Sequence, residues 1–565
     1  MILLNQSTEQ RGLKTLFFVA SMAISCLVWG GEAVVSVSHP LAAEAGAWAI
    51  QQGGDAVDAA VAIQFALNVV EPQSSGIGGG AFIMIYRAKT QEVLALDARE
   101  VAPAGASADQ FNGMDFEQAS TSGISVGVPG ALAGMEALRQ RWGHLTLAQT
   151  LKPAQHYARD GFQVTPYLAR AMRSSRLDHQ PEARRLVRDK SGQVLVEGAV
   201  WHQPELAHTL DLIASSGISA FYRGPLALAI VMAQQRSLVG PAGTGRMTLD
   251  DLAHYQPVWR TPLEYQYHDY RLVTMPPPSS GGVALFQVLG MLDRYHIGHA
   301  PDMNMGSPAE IRVTIDALRL AMVDRARWMG DPPAGVVLPV EHLLSPSYLA
   351  AQSQRISSAH RLELDPPPAS PEGTHTTHFS VVDHEGNVVS VTTTVEAPWG
   401  SGILVPNYGF FLNNELTDFN LVPRASAQDP GINDVRPGHR PRSSMTPLLV
   451  FRGPQWIGAY GSPGGVSIIS TVLEMTQDML DAGMSPSAAI AQPRFAVLDA
   501  VGTMVVEPSW SVEQLNQLRQ QGDEIHVSGI PLGSVQWVGR DESTGKMDGA
   551  ADFRREGTVL RLPDH

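Results

Sequence analysis

Apolar residues recur at helical spacing from Leu41 to Val70. This alanine-rich stretch is interrupted at Gly53-Gly54, so the pattern predicts two packed helices. Glu71-Pro72-Gln73-Ser74-Ser75 and a glycine cluster, Gly76 to Gly80, follow it, and then a strand-like Ala81 to Tyr86. A phosphate loop needs strand, glycines, helix; the order here is helix, glycines, strand, which excludes one. The glycines instead predict close backbone packing. From Met135 to Tyr348 the periodicity is mostly helical, broken by proline turns such as Met275 to Gly282. Ser357 to His375, with Pro366-Pro367-Pro368 and Pro371, can be neither helix nor central strand and reads as an internal linker. No internal repeat is present.

The period then changes from helical to alternating. Thr376 to Asp383 is β-like, His384 to Asn387 is a turn, and Val388 to Glu396 is β-like again, which predicts a hairpin. A five-residue loop, Asp383 to Asn387, sets Thr376 opposite Thr394, with Glu396 as its diagonal neighbour on the same face. One face then carries Thr377, Phe379, Val381, Val389, Val391, Thr393 and Val395. The other carries Thr376, His378, Ser380, Ser390, Thr392, Thr394 and Glu396. By pattern alone the polar face is a solvated surface or a functional one.

Composition narrows the classes. The 565-residue chain is 44% hydrophobic and 17% charged, which is globular. A formal net charge of −15, without any long run of Lys and Arg, argues against nucleic-acid binding. Cys26 is the only cysteine, so neither an intrachain disulfide nor a cysteine zinc site can form. Arg11 and Lys14 precede an apolar stretch from Leu16 to Trp29, and Gly31-Glu32-Ala33 is a small-x-small cleavage site. Residues 1–33 therefore read as an export signal, and an uncleaved segment would tether the chain to a membrane. A lipoprotein reading through Ser25-Cys26 is weaker, because Ala23 stands where a leucine is expected.

The passages Thr376 to Asp383 and Thr392-Thr393-Thr394-Val395-Glu396 closely resemble the γ-glutamyltransferase (γ-glutamyl transpeptidase) family. The resemblance continues through Leu412 to Phe419, Arg440 to Pro447 and Gly461-Ser462-Pro463-Gly464-Gly465. Upstream it includes His39 to Ala42, Glu71 to Gly80, Asp97 to Pro103 and Pro276 to Gly282, so it spans nearly everything after the signal. It implies an N-terminal nucleophile hydrolase, an αββα sandwich built by self-cleavage of one chain. The cut would fall between His375 and Thr376, giving a large subunit from residue 34 to 375 and a small catalytic subunit from 376 to 565.

By that resemblance Thr376 is the nucleophile and Thr394 the threonine that hydrogen-bonds it. A hydroxyl needs an adjacent base, and the α-amine freed by the cut, with a reference pKa near 8, supplies one on the same residue. Arg99, Ser443 and Ser444 match the positions that hold the substrate's α-carboxylate; Glu396, Glu415 and Asp418 match those that hold its α-ammonium. Gly464 and Gly465 match the oxyanion donors. Some family members carry Asn and Gln at the Glu396 and Glu415 positions, and the carboxylates here make the amine pocket more negative. The stretch Asn420 to Arg436 has no Tyr, Trp or Phe, which implies an absent or remodelled lid.

The implied activity is transfer of a γ-glutamyl group from glutathione or a related compound to water, an amino acid or a peptide, by a large–small heterodimer without cofactor in the periplasm or outside the cell. The pair His375-x-x-His378 lacks the helix and intervening Glu of a zinc protease, so no metal is implied. Two alternatives stay open: an acylase or poly-γ-glutamate hydrolase on the same fold, and a binding protein that never matures.

Overall fold

The computed structural model describes residues 31–236, 244–365, 372–373, 375–427, 429–542 and 544–563. The apolar N-terminal stretch lies outside these residues. Among them no helix is long and apolar enough to cross a membrane.

The alanine-rich stretch forms helices Pro40–Gln51 and Ala56–Val70. The break falls at Gly53, whose φ of 85° suits glycine. Asp55 then restarts the helix, its carboxylate accepting the N–H groups of Val57 and Asp58. These helices cover one side of a seven-stranded antiparallel sheet, where Phe379, Val381, Val389 and Val391 pack beneath them. Its strand order is Thr558–Leu562, Ala33–Val37, His375–Val382, Val388–Glu396, Gly80–Arg87, Glu92–Ala98, Val258–Arg260.

A second antiparallel sheet runs Met547–Ala551, Gln536–Arg540, Gln455–Gly461, Leu448–Arg452, Tyr270–Thr274, Leu263–Tyr267. Helices Gly281–Leu292, Pro308–Trp328 and Ser467–Leu480 belong to the hydrophobic cluster that covers it. The sheets face each other, and Ser36 Oγ of the first donates to Gln536 Oε1 of the second at 3.1 Å. The order helices, sheet, sheet, helices is the expected αββα sandwich.

The expected hairpin forms with the expected loop, and Thr376 pairs with Thr394. Its polar face is not solvated: Thr376, His378, Ser380, Ser390 and Thr392 are all buried. His378 Nδ1 meets Thr392 Oγ1 at 2.9 Å and Nε2 meets Ser380 Oγ at 3.0 Å. Burial lowers its pKa to about 3, so this imidazole is neutral.

Two expectations need correction. A bulge between Thr394 and Glu396 sets Glu396 opposite His375 instead of diagonal to Thr376. The region from Met135 to Tyr348, read as mostly helical, also supplies strands Val258–Arg260, Leu263–Tyr267 and Tyr270–Thr274. Val258–Arg260 and Leu263–Tyr267 are partly exposed edge strands, whereas Tyr270–Thr274 lies inside the second sheet with Leu272, Val273 and Thr274 buried. Pairing with neighbouring strands makes them, not strong local patterning.

The glycine cluster packs backbone against the hairpin. A Cβ on Gly79 would sit 2.0 Å from the Thr394 carbonyl oxygen. Gly79→Ala, made in an uncut Thr376→Ala background, should therefore cost about 1–3 kcal/mol of stability, read by chemical denaturation.

Candidate active site

Thr376 and Thr394 meet because adjacent strands put them directly opposite. Thr376 Oγ1 donates to Thr394 Oγ1 at 3.3 Å. The Thr394 hydroxyl in turn donates to the carbonyl of His375 at 2.7 Å, the bond predicted to be cut. The bulge turns the N–H of Glu396 onto Thr394 Oγ1 at 2.8 Å, so this oxygen accepts twice and donates once. On the far side Arg555 Nη1 donates to the Thr376 carbonyl at 2.7 Å. A threonine hydroxyl, a donor on the adjacent carbonyl and a pinned backbone thus converge at one peptide bond.

His375 lines a cavity of about 390 Å³ together with Gly464, Ser467, Tyr167, Arg170 and Arg555. Gly464 and Gly465 have φ of 134° and 59°, and their carbonyls accept the N–H groups of Ser467 and Ile468 at a helix start. The turn that carries them opens on the same cavity as His375.

The predicted substrate-binding residues are brought together, in a different pairing. Arg99 is almost fully buried, donating to Glu415 Oε1 through Nη1 and to Asp418 Oδ2 through Nη2 at 2.6 Å. The carbonyls of Pro441 and Arg442 take its remaining bonds at 3.3 and 2.7 Å. Residues expected to serve opposite poles of a substrate therefore neutralise each other. They do so because a buried guanidinium needs a counter-charge and these carboxylates are the ones folded around it.

Burial works against the Arg99 charge, but Glu415 and Asp418 outweigh it and hold the guanidinium above its ordinary value. Burial pushes Asp418 up to about 7 against the pull of Arg99, and it raises Glu415 as well. Burial, then the Asp418 and Glu415 charges, push Glu396 well above the carboxylate range. Glu396 is held by Asn414 Nδ2 and by the N–H of Gly373.

The paired serines also separate. Ser444 Oγ lies 3.2 Å from the carboxylate of Glu372, whereas Ser443 Oγ accepts the N–H of Met445. Glu372, Arg325, Arg442, Asn414 and Arg555 were not foreseen. The visible signals were an arginine directly before the paired serines and an acid four residues ahead of Thr376.

The stretch expected to lack or remodel a lid folds on Asp434, whose carboxylate accepts from Asn420 Nδ2 and from the N–H groups of Arg424 and Ala425. Among the described residues no cluster of three or more His, Cys, Asp or Glu could hold a metal ion.

Two facing sheets between helical layers, with a threonine at the start of a central hairpin strand, define the fold of the N-terminal nucleophile hydrolases. The gamma-glutamyltranspeptidase profile matches residues 42–562, and the chain belongs to that family. The glutathione hydrolase proenzyme of Bacillus subtilis strain 168 is 38% identical, covering 94% of this chain and 92% of the relative. The acylase ACY 1 proenzyme of a Pseudomonas species is 32% identical, covering 94% of each chain. The crystal structure of cephalosporin acylase from Bacillus halodurans superposes with a TM-score of 0.82 at 27% identity, covering 99% of both chains.

Removing Arg99 would strand two buried carboxylates, which can escape the penalty by taking up protons. Arg99→Met in the Thr376→Ala background should cost about 3–5 kcal/mol at pH 8. The loss should shrink at pH 5, where the stranded carboxyls are neutral, and denaturant titration at the two pH values reads the difference.

Proposed function

We propose that this chain is a self-processing γ-glutamyltransferase, a glutathione hydrolase whose nucleophile is Thr376. The observation that carries the reading is the hydrogen-bond chain from Thr376 through Thr394 to the His375 carbonyl. In maturation the Thr376 hydroxyl oxygen attacks the His375 carbonyl carbon, and the Thr394 hydroxyl stabilises the oxygen that gains charge. The C–N bond breaks, the nitrogen takes a proton, and the His375 acyl group rests on Thr376 as an ester. Water then hydrolyses the ester, releasing the His375 carboxylate and leaving Thr376 with a free hydroxyl and a free α-amine.

The same atoms then act on substrate. The α-amine takes the hydroxyl proton as Thr376 attacks the γ-carbonyl of a γ-glutamyl compound such as glutathione. Gly464 and Gly465 supply N–H donors to the tetrahedral oxygen. The leaving amine departs protonated, and the glutamyl ester passes to water or to an amino acid or peptide. The carboxyl groups of Glu396, Glu415 and Asp418 outnumber Arg99, and burial raises their pKa values, so an incoming ammonium would supply the counter-charge that favours their ionised forms. The large and small subunits stay together because strands of both interleave in the first sheet and adjoin in the second, where Leu448–Arg452 pairs with Tyr270–Thr274. Export through the N-terminal segment completes the reading.

The acylase relatives support a second reading, in which a glutaryl group without ammonium is the donor. The acidic trio favours glutamyl. Assay of γ-glutamyl-p-nitroanilide beside glutaryl-p-nitroanilide separates them, with the glutamyl compound expected to be the better donor.

On a denaturing gel the wild type should run as two fragments, the smaller beginning at Thr376, and Thr376→Ala as one inactive band. Thr394→Ala should slow the cut by about 100- to 1,000-fold, the loss typical of one oxyanion donor. As pH rises through the Asp418 value of about 7, its carboxylate ionises and attracts the ammonium. The KM for a γ-glutamyl donor should fall between about pH 6 and pH 8, and Asp418→Asn should flatten this dependence.

A further inference from the structure

Away from the hairpin, the helices that cover the second sheet border a cavity of about 340 Å³, which shares no lining residue with the one beside His375. Its size is at the lower end of the range for small-molecule sites. Glu310 reaches it from the first turn of helix Pro308–Trp328, and Glu474, Gln477 and Asp478 reach it from helix Ser467–Leu480. The last three follow the i, i+3, i+4 spacing and so share one helix face. Met305, Met475, Met484, Phe495 and Trp510 supply an apolar wall. Trp510 Nε1 donates to the Arg494 carbonyl at 3.1 Å, and its ring meets Phe495 edge-on with centroids 5.7 Å apart, which fixes the aromatic part of that wall.

The three carboxyl groups have no cation of their own. Asp478 is 5% exposed, and among the described residues none donates a hydrogen bond to its carboxylate. Glu474 Oε1 accepts the N–H of Phe495 at 3.1 Å, but its Oε2 is buried without a partner, as is Gln477 Nε2. Glu310 accepts from Thr314 Oγ1 at 2.8 Å and from the N–H of Gly306 at 3.1 Å, both neutral donors. Arg494 also lines the cavity, but its guanidinium is engaged by Asp552 Oδ2 at 2.7 Å and by the Leu532 carbonyl at 2.8 Å.

This arrangement is unfavourable as it stands. Like charges at i, i+4 on a helix repel, and Asp478 lies in the last turn, where the negative end of the helix disfavours an anion. Burial, then the Glu310 charge, push Asp478 up to about 7. Burial also pushes Glu310 up to about 7 and lifts Glu474 well above the carboxylate range. A cation among them would reverse these shifts. A metal ion fits poorly, since among the described residues no three acidic or histidine side chains converge as ligands. The methionine and aromatic wall suits an alkyl chain instead, and an indole face attracts an ammonium. Three carboxyls facing one engaged guanidinium match two positive charges.

We propose that this cavity binds an aliphatic diamine, with one ammonium between Glu474 and Asp478, the other at Glu310, and the methylene chain on the apolar wall. The site is separate from the catalytic centre, and its existence does not depend on the γ-glutamyl reading.

The test is calorimetric titration of uncut Thr376→Ala protein with cadaverine, a five-carbon diamine, at about pH 8, where carboxyls are largely ionised and no turnover consumes the amine. One site is expected, and cadaverine should bind at least about tenfold more tightly than pentylamine. Asp478→Asn should weaken cadaverine at least about tenfold, and adding Glu474→Gln should abolish binding. Glu310→Gln should erase the advantage of the diamine over the monoamine. These changes keep side-chain shape and relieve repulsion, and circular dichroism checks the fold. As a second readout, cadaverine should raise the thermal midpoint of the parent but not of the Asp478→Asn, Glu474→Gln protein. No binding, or affinity unchanged by loss of these carboxylates, would overturn the site. Binding that Asp418→Asn abolishes would place the amine in the catalytic pocket and overturn it as well. Calcium bound as tightly as cadaverine, or pentylamine equal to it, would overturn the diamine assignment.

Discussion

The Thr394 hydroxyl is the atom group on which the rest of the arrangement depends. It accepts from Thr376 and from the N–H of Glu396 and spends its single proton on the carbonyl of His375. A side chain can hold three partners in fixed directions only when its backbone is fixed, and here the surrounding fold supplies that. The hairpin is central in a seven-stranded sheet, packed on one face by helices and on the other by a second sheet. Gly79, just ahead of the neighbouring strand, packs so closely on the Thr394 carbonyl that a Cβ there would clash with it. The bulge at Val395, which costs a ladder position, delivers the N–H that orients the hydroxyl.

Around this hydrogen-bonded centre lies a second constraint, charge balance without water. Carboxylates of Glu396, Glu415, Asp418 and Glu372 and guanidiniums of Arg99, Arg325 and Arg442 are buried together. None could remain ionised there alone. The acids nearest the hairpin are left with raised pKa values, while the arginines farther along share a single carboxylate.

Much of the hairpin was legible in the chain itself. Asp383 to Asn387 is rich in turn-forming residues, and alternation on both sides fixed the pairing of Thr376 with Thr394 once the loop length was set. The bulge was not legible, since it follows from Gly79 and Asn414 approaching from distant parts of the chain. The family resemblance named Arg99, Glu415, Asp418 and Ser444, and the fold does gather them. Their pairing escaped because Arg99 is separated from its carboxylates by more than three hundred residues and local sequence carries no sign of which charge faces which. Glu372 lies in a stretch read only as a linker, and nothing local shows that Arg325 and Arg442 pair with it.

The central claim is that Thr376 becomes a chain terminus and carries the transferred group. The most direct measurement is intact mass spectrometry of the enzyme quenched in acid during turnover of a γ-glutamyl donor, followed by peptide mapping. The account predicts a small subunit beginning at Thr376 and heavier by one γ-glutamyl group, with the added mass on the Thr376 peptide. A processed, active enzyme whose small subunit stays unmodified, or which carries the group on another residue, would contradict it.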